Sequence, residues 1–225
     1  MNDLKFFTNM PERDLYSRFS TILRNHTQFF DILVGYFRTS GFFRLYSAMK
    51  DIEEIRVLVG LNVDRKTVEI IDHVNGQPTI KQATEVFSDA IEAEFEAAPT
   101  SADVEKGVRY FIEWLKNGKL QLRMYVEAPL HAKVYIMRKD PNHADYYGSV
   151  ITGSSNFSEA GLVNNLEFNV ELRDRADVTF ALERFEELWQ HSVPVEDAYV
   201  QAIEKRTWLR SDITPYEIYL KTLYE

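Results

Sequence analysis

The chain has 225 residues, 45% of them hydrophobic, no cysteine and a formal net charge of −9. That excludes a disulfide framework and a cysteine-based zinc site, and it argues against a protein that coats nucleic acid through a broad basic face. No apolar run approaches membrane-spanning length and Met1 to Phe7 form no apolar leader, so the expectation is a cytoplasmic globular protein: one large domain, or one domain with an appendage.

In chain order, residues 15–29 read as a helix and Phe30 to Phe37 as an apolar run of strand length, of the kind buried on both faces. Ser40 to Met49 reads as a crossover helix into a second buried strand, Ile55 to Leu61, which makes a βαβ unit. Residues 80–97 place Ala83, Val86, Phe87, Ala90 and Ile91 at helical spacing. Residues 101–117 do the same with Val104, Val108, Phe111, Ile112 and Leu115, between Ser101 as N-cap and Gly118 as a stop. Four strands are predicted next: Leu120 to Val126, His131 to Arg138, Ser149 to Thr152 and Glu167 to Leu172. Val178, Leu182, Phe185, Leu188 and Trp189 mark a further amphipathic helix. After Pro194 the pattern is helical, over Ala198 to Arg206 and Tyr216 to Tyr224, and the last helix reaches the final residue without a stop signal. The expected division is 1–193 as one domain and 194–225 as a helical extension or linker.

Charge is unevenly spread. Residues 81–106 carry seven acids against two lysines, whereas Arg123 to Arg175 is close to balanced. Arg123, Lys133, Arg138, Lys139, Arg173 and Arg175 are therefore available to a polyanion despite the acidic total.

The chemistry concentrates in Leu130-His131-Ala132-Lys133-Val134-Tyr135. Side chains at i and i+2 of a strand share a face, so His131 and Lys133 are expected to project together while Ala132 and Val134 turn inward. An imidazole beside a fixed ammonium suits phosphate chemistry, although a lone His-x-Lys is also how a half-exposed strand looks. Here it is followed by Gly153-Ser154-Ser155-Asn156 and then by Glu167, eleven residues beyond Asn156. The other histidines (His26, His73, His143, His191) have no partner at metal-ligand spacing and read as surface or helix-end residues. Tyr36, Phe37 and Tyr135 read as core aromatics, with stacking on bases as the alternative.

Taken together, these elements resemble the phospholipase D superfamily, whose signature is His-x-Lys, then Gly-Ser-x-Asn, then a glutamate at that distance. Asp31 to Phe37, Ser40-Gly41-Phe42 and Ile55 to Leu61 look like the phospholipase D-like domain at the N-terminus of bacterial superfamily-two helicases and restriction-type proteins. Thr214 to Lys221 resembles the segment that leads into the helicase motor in such proteins, and the chain contains no Gly-x-x-x-x-Gly-Lys-Ser/Thr motif, so the expectation is one part of a longer protein. The sequence departs from the family at Arg138, where an aspartate is usual; Asp140 and Asp145 lie nearby in what reads as a hairpin insertion.

The resemblance implies an α/β fold, a phospholipase D-like mixed β-sheet flanked by helices with a C-terminal helical extension. It implies a metal-independent phosphodiesterase, a DNA endonuclease working through a covalent phosphohistidine, with no cofactor and no metal. His131 is then the nucleophile, Glu167 holds its other ring nitrogen, Lys133 and Asn156 clamp non-bridging oxygens, and Ser154 and Ser155 contact substrate. One imidazole cannot both attack and protonate the leaving oxygen, so a single His-x-Lys implies a homodimer with a shared active site. The implied partners are DNA, a second copy and a C-terminal helicase domain, with no membrane. Two other readings stay open: a non-catalytic DNA-binding or dimerisation module of a helicase, motivated by Arg138 and the acidity, and a phospholipase.

Overall fold

The computed structural model describes residues 5–10, 14–60, 91, 101–140, 147–195, 216, 219, 220 and 223. In chain order come β1 (Phe6–Phe7), α1 (Leu15–His26), β2 (Phe29–Val34), α2 (Thr39–Leu45) with a 3-10 turn at Tyr46–Ala48, β3 (Glu54–Gly60) and α3 (Ala102–Lys116). They are followed by β4 (Leu120–Tyr125), β5 (Lys133–Arg138), β6 (Gly148–Gly153), a π-helical turn (Ala160–Asn164), β7 (Asn169–Leu172), α4 (Arg175–Gln190) and β8 (Val193–Pro194). The strands make one mixed sheet in the order β1-β7-β6-β5-β2-β3-β4-β8. β2, β3 and β4 run parallel, joined over β2 and β3 by the expected crossover; the remaining neighbours are antiparallel.

Strand alternation sorts the side chains into two cores. Phe30, Ile32, Val34, Val57, Tyr135 and Ile151 face α1, α2 and α3, which supply Phe19, Ile22, Phe42, Leu45, Phe111 and Trp114. Leu33, Leu58, Ile136 and Val150 face α4 through Val178, Phe185 and Trp189. Phe19 meets Tyr135 edge-on at 5.0 Å between centroids, and truncating such a ring costs about 3–5 kcal/mol. The helices start where their caps dictate. Asp14 accepts from the backbone N–H groups of Tyr16 and Ser17, and Ser101 accepts from that of Val104, at 3.3 Å. Gly118, at φ +78°, ends α3.

Arg138 finds its explanation on the α4 face. Asp31, buried in β2, accepts from Arg56 Nε at 2.6 Å and from Arg138 Nε at 2.9 Å. Arg56 also donates to Glu186 of α4 at 2.7 Å and lies over the rings of Phe185 and Trp189. Burial alone would lower the Arg56 guanidinium, but its bonds to Asp31 and Glu186 hold it above the ordinary arginine range. The strand-end arginine is thus matched by an aspartate on the neighbouring strand.

Several boundaries move. β5 begins at Lys133 and β7 at Asn169, so His131 and Glu167 lie in the segments that enter these strands, not within them. The two-residue strands β1 and β8 were not expected, since two residues carry no periodicity. β8 pairs with β4, so Val193 and Pro194 belong to the sheet. The helix over 80–97 lies outside the described residues except for Ile91, which is helical and buried in the first core. Asp145 and the helix over 198–206 also lie outside them; Tyr216, Tyr219, Leu220 and Leu223 are helical.

Candidate active site

The C-terminal ends of the three parallel strands meet the start of β5, the end of β6 and the start of β7 on one edge of the sheet: Val34 pairs with Lys133, and Gly153 with Asn169. Strand ends of this kind are where open α/β sheets place their ligands. Leu130 to Ala132 runs across them. The Gly35 N–H donates to the Ala132 carbonyl at 2.9 Å, and a Cβ on Gly60 would stand 2.5 Å from the Leu130 carbonyl oxygen. A Cβ on Gly35 would stand 2.8 Å from that oxygen and 3.1 Å from His131 Cα. The segment carrying His131 is seated only because neither strand end bears a side chain.

His131 is exposed and Lys133 half-buried. Lys133 Nζ lies 3.3 Å from His131 Nδ1, 3.2 Å from Nε2 and 3.5 Å from the His131 carbonyl oxygen. Thr152 pins the Lys133 backbone by donating its hydroxyl to the Lys133 carbonyl at 2.9 Å. Burial lowers the Lys133 ammonium below the ordinary lysine range, and the Glu167 carboxylate opposes that shift. The arrangement sets a fixed cation beside a solvent-facing ring nitrogen, which is what attack on an anionic phosphorus centre needs.

Glu167 is held from two sides. Ser154 donates its hydroxyl to one carboxylate oxygen and accepts from the Phe168 N–H at 3.1 Å, while Asn165 Nδ2 donates to the other oxygen at 3.2 Å. Glu167 makes no bond to the His131 ring, although its charge is felt at Lys133. Ser155, expected as a substrate contact, faces inward and is fully buried. Its hydroxyl accepts from Asn169 Nδ2 at 2.9 Å, and its carbonyl accepts from the Tyr135 hydroxyl at 2.7 Å, so it holds the turn together. Burial pushes that tyrosine hydroxyl well above its usual range. Phe37 and Tyr135 are core residues, and Tyr36 is exposed. The Asn156 amide oxygen is buried without a partner.

Sequence reasoning missed Asn165, Asn169 and Asn9. The alternation Asn165-x-Glu167-x-Asn169 was the available signal, since residues two apart in an extended segment share a face. Asn9 carried none, because its contacts are with residues far along the chain.

The sequence matches the profile of the cardiolipin synthase, PLD-like domain over residues 20–189. No curated protein matches it significantly. Among solved structures the fold is similar to phosphatidylserine synthase from Haemophilus influenzae Rd KW20, with a TM-score of 0.52 and 12% identity over 97% of this chain and 44% of that one. It is also similar to Nuc, a phospholipase D family member from Salmonella typhimurium, with a TM-score of 0.48 and 14% identity over 84% of this chain and 95% of that one. NucT from Helicobacter pylori gives a TM-score of 0.47 and 15% identity over 84% and 96%. Since the profile spans most of the sequence and takes in the strand ends that carry His131, Lys133 and Asn156, the chain belongs to the phospholipase D-like domain family.

Proposed function

We propose that the protein is a metal-independent phosphodiesterase that cleaves DNA and that its active site is completed by a second copy of the chain. The observation that carries this reading is the Lys133 ammonium against the His131 ring, beside a Ser154–Glu167 pair on the same edge of the sheet. One ring nitrogen of His131 attacks phosphorus, a P–N bond forms and the P–O bond to the leaving group breaks. Lys133 and the Asn156 amide N–H stabilise the charge that builds on the non-bridging oxygens. A second imidazole protonates the leaving oxygen, then takes a proton from the water that cleaves the P–N bond and frees His131. Glu167, oriented by Ser154 and Asn165, supplies the acceptor that fixes an imidazole tautomer in the completed site.

We assign the second imidazole to a second copy because the chain carries one His-x-Lys: His26 ends α1, just before the end of β2 that lies opposite Val34, and His191 leads into β8, which β2, β3 and β4 separate from β5 in the sheet. Val163, Leu166 and Phe168 are exposed around Glu167, the last two at 64% and 63%, which suits a face that another molecule covers. We assign residues 1–193, together with Pro194 of β8, to the catalytic domain and the rest of the chain to residue 225 to an extension leading toward a helicase motor in a cytoplasmic protein of the helicase or restriction type. The support for this is the likeness of Thr214 to Lys221 to the segment preceding such motors. Among the described residues no helix is long and apolar enough to cross a membrane. A lipid phosphodiester is the second reading, favoured by the exposed apolar side chains at the site.

Plasmid DNA incubated with the protein in EDTA tests the assignment. Cleavage is expected from the parent and none from His131→Ala; parental rates from the variant would end it. Mixing the two under subunit exchange should depress activity below simple dilution, and strict proportionality to parent protein would remove the shared site. Release of choline from phosphatidylcholine vesicles without DNA cleavage would favour the lipid reading. DNA binding without turnover of bis-(p-nitrophenyl) phosphate would leave a binding module.

A further inference from the structure

We propose that Asn9 is a positioning residue for this site, holding from the sheet edge the π-helical turn on which Asn156 and Glu167 both depend. The proposal rests on the phosphodiesterase reading above. β1 pairs with β7 through Phe7 and Asn169, and Asn9, two residues further on, runs beside the segment that enters β7. Its Nδ2 donates to the Gly161 carbonyl at 3.1 Å and to the Asn165 carbonyl at 2.7 Å, so both amide hydrogens are used on the turn. The Asn9 amide oxygen is buried without a partner, and turning the amide over would press that oxygen against two carbonyls.

The turn itself closes through an i→i−5 bond, Asn165 N–H to the Ala160 carbonyl at 2.8 Å. Carbonyls near a helix end lack intrahelical donors, and Asn9 supplies them from outside. One side of the turn lies on Asn156, whose carbonyl oxygen would be 2.4 Å from a Cβ on Gly161. The other side delivers Asn165 to the Glu167 carboxylate. A single amide thus sets the spacing between the group that grips phosphoryl oxygen and the carboxylate that orients an imidazole.

The full chain carrying Asn9→Ala, Asn9→Asp or Asn9→Gln tests this with two readouts. In turnover of bis-(p-nitrophenyl) phosphate, kcat is expected to fall about 10–100-fold with KM little changed, since displacement of about 1 Å costs that much. The loss should be greatest for Asp, which faces two carbonyls without a donor, and least for Gln, which keeps both hydrogens. Binding of inorganic tungstate, followed through the His131 ring resonances, should weaken about tenfold in Asn9→Asp while thermal unfolding stays cooperative. Parental kcat and parental tungstate affinity in both the Ala and Asp variants would overturn the proposal. If the parent itself shows no turnover, the phosphodiesterase reading fails and tungstate decides the clamp alone, with equal affinity overturning it.

Discussion

Asp31, Arg56 and Arg138 on one face of the sheet and His131, Lys133 and Glu167 at its edge use the same kinds of side chain and treat them in opposite ways. In the first set every charge is matched: two guanidinium groups converge on one buried carboxylate, and a second acid, Glu186, accepts from Arg56 Nη2. In the second, a cation is aimed at a ring that carries no charge to match it, the imidazole faces solvent, and the Asn156 amide oxygen is left without a partner. A network whose charges are already matched has little attraction left for an anion. An unsaturated one, held in place by backbone contacts at Gly35 and Gly60, has its hydrogen-bonding capacity in reserve.

The widest separation between the two sets should come from His131→Ala and Asp31→Asn. The first is expected to lower turnover by at least about 10⁴-fold without moving the melting temperature. The second is expected to cost about 3–5 kcal/mol of stability, because it removes the charge shared by the buried Arg56 and the half-buried Arg138, while the folded molecules retain their turnover. Denaturant titration and steady-state kinetics on both variants check this, and a swap of phenotypes would erase the distinction.

Within the open set, Lys133→Ala and Asn156→Ala should each lose about 10²–10³ in kcat, the range for removing one preorganised donor. Losses confined to KM would make them ground-state contacts. Glu167→Gln should be milder and has a sign. It removes the carboxylate that opposes the effect of burial on Lys133, so the ammonium gives up its proton at lower pH and the alkaline limb of the rate profile moves down. A limb that stays in place would separate Glu167 from Lys133.

The smallest effect is expected at Glu171. Burial raises its carboxyl, but bonds from Arg18 and Arg173 bring it below the ordinary range. A carboxyl lower in the folded than in the unfolded chain stabilises above its unfolded value, and that contribution disappears as pH falls through the folded one. Arg18→Met should flatten the acid limb of stability, measured by urea titration below neutral pH.

The parallel pair β2–β3 was legible because its strands are continuous apolar runs, and α3 because cap, stripe and stop agree. His131, Lys133, Asn156 and Glu167 stood out by type and spacing. What spacing did not carry was the partner of each group. Ser155 and Ser154 are adjacent and chemically identical, yet the turn after β6 sends one into the core and the other to Glu167. The match of Arg138 to Asp31 depends on strand register across more than a hundred residues, which no local pattern records. β5 and β7 begin two residues later than the pattern suggests for a similar reason: the segments that enter them are shaped by what they lie against.

β1 is only two residues long, yet it stands at the outer edge of the sheet, over β7. Without Lys5 to Phe7, the backbone of Asn169 to Glu171 would present open donors and acceptors to any extended chain. Shortening the chain past residue 5 would therefore expose a sticky border where copies join edge to edge, so loss of monodispersity is the first symptom to look for in such a fragment.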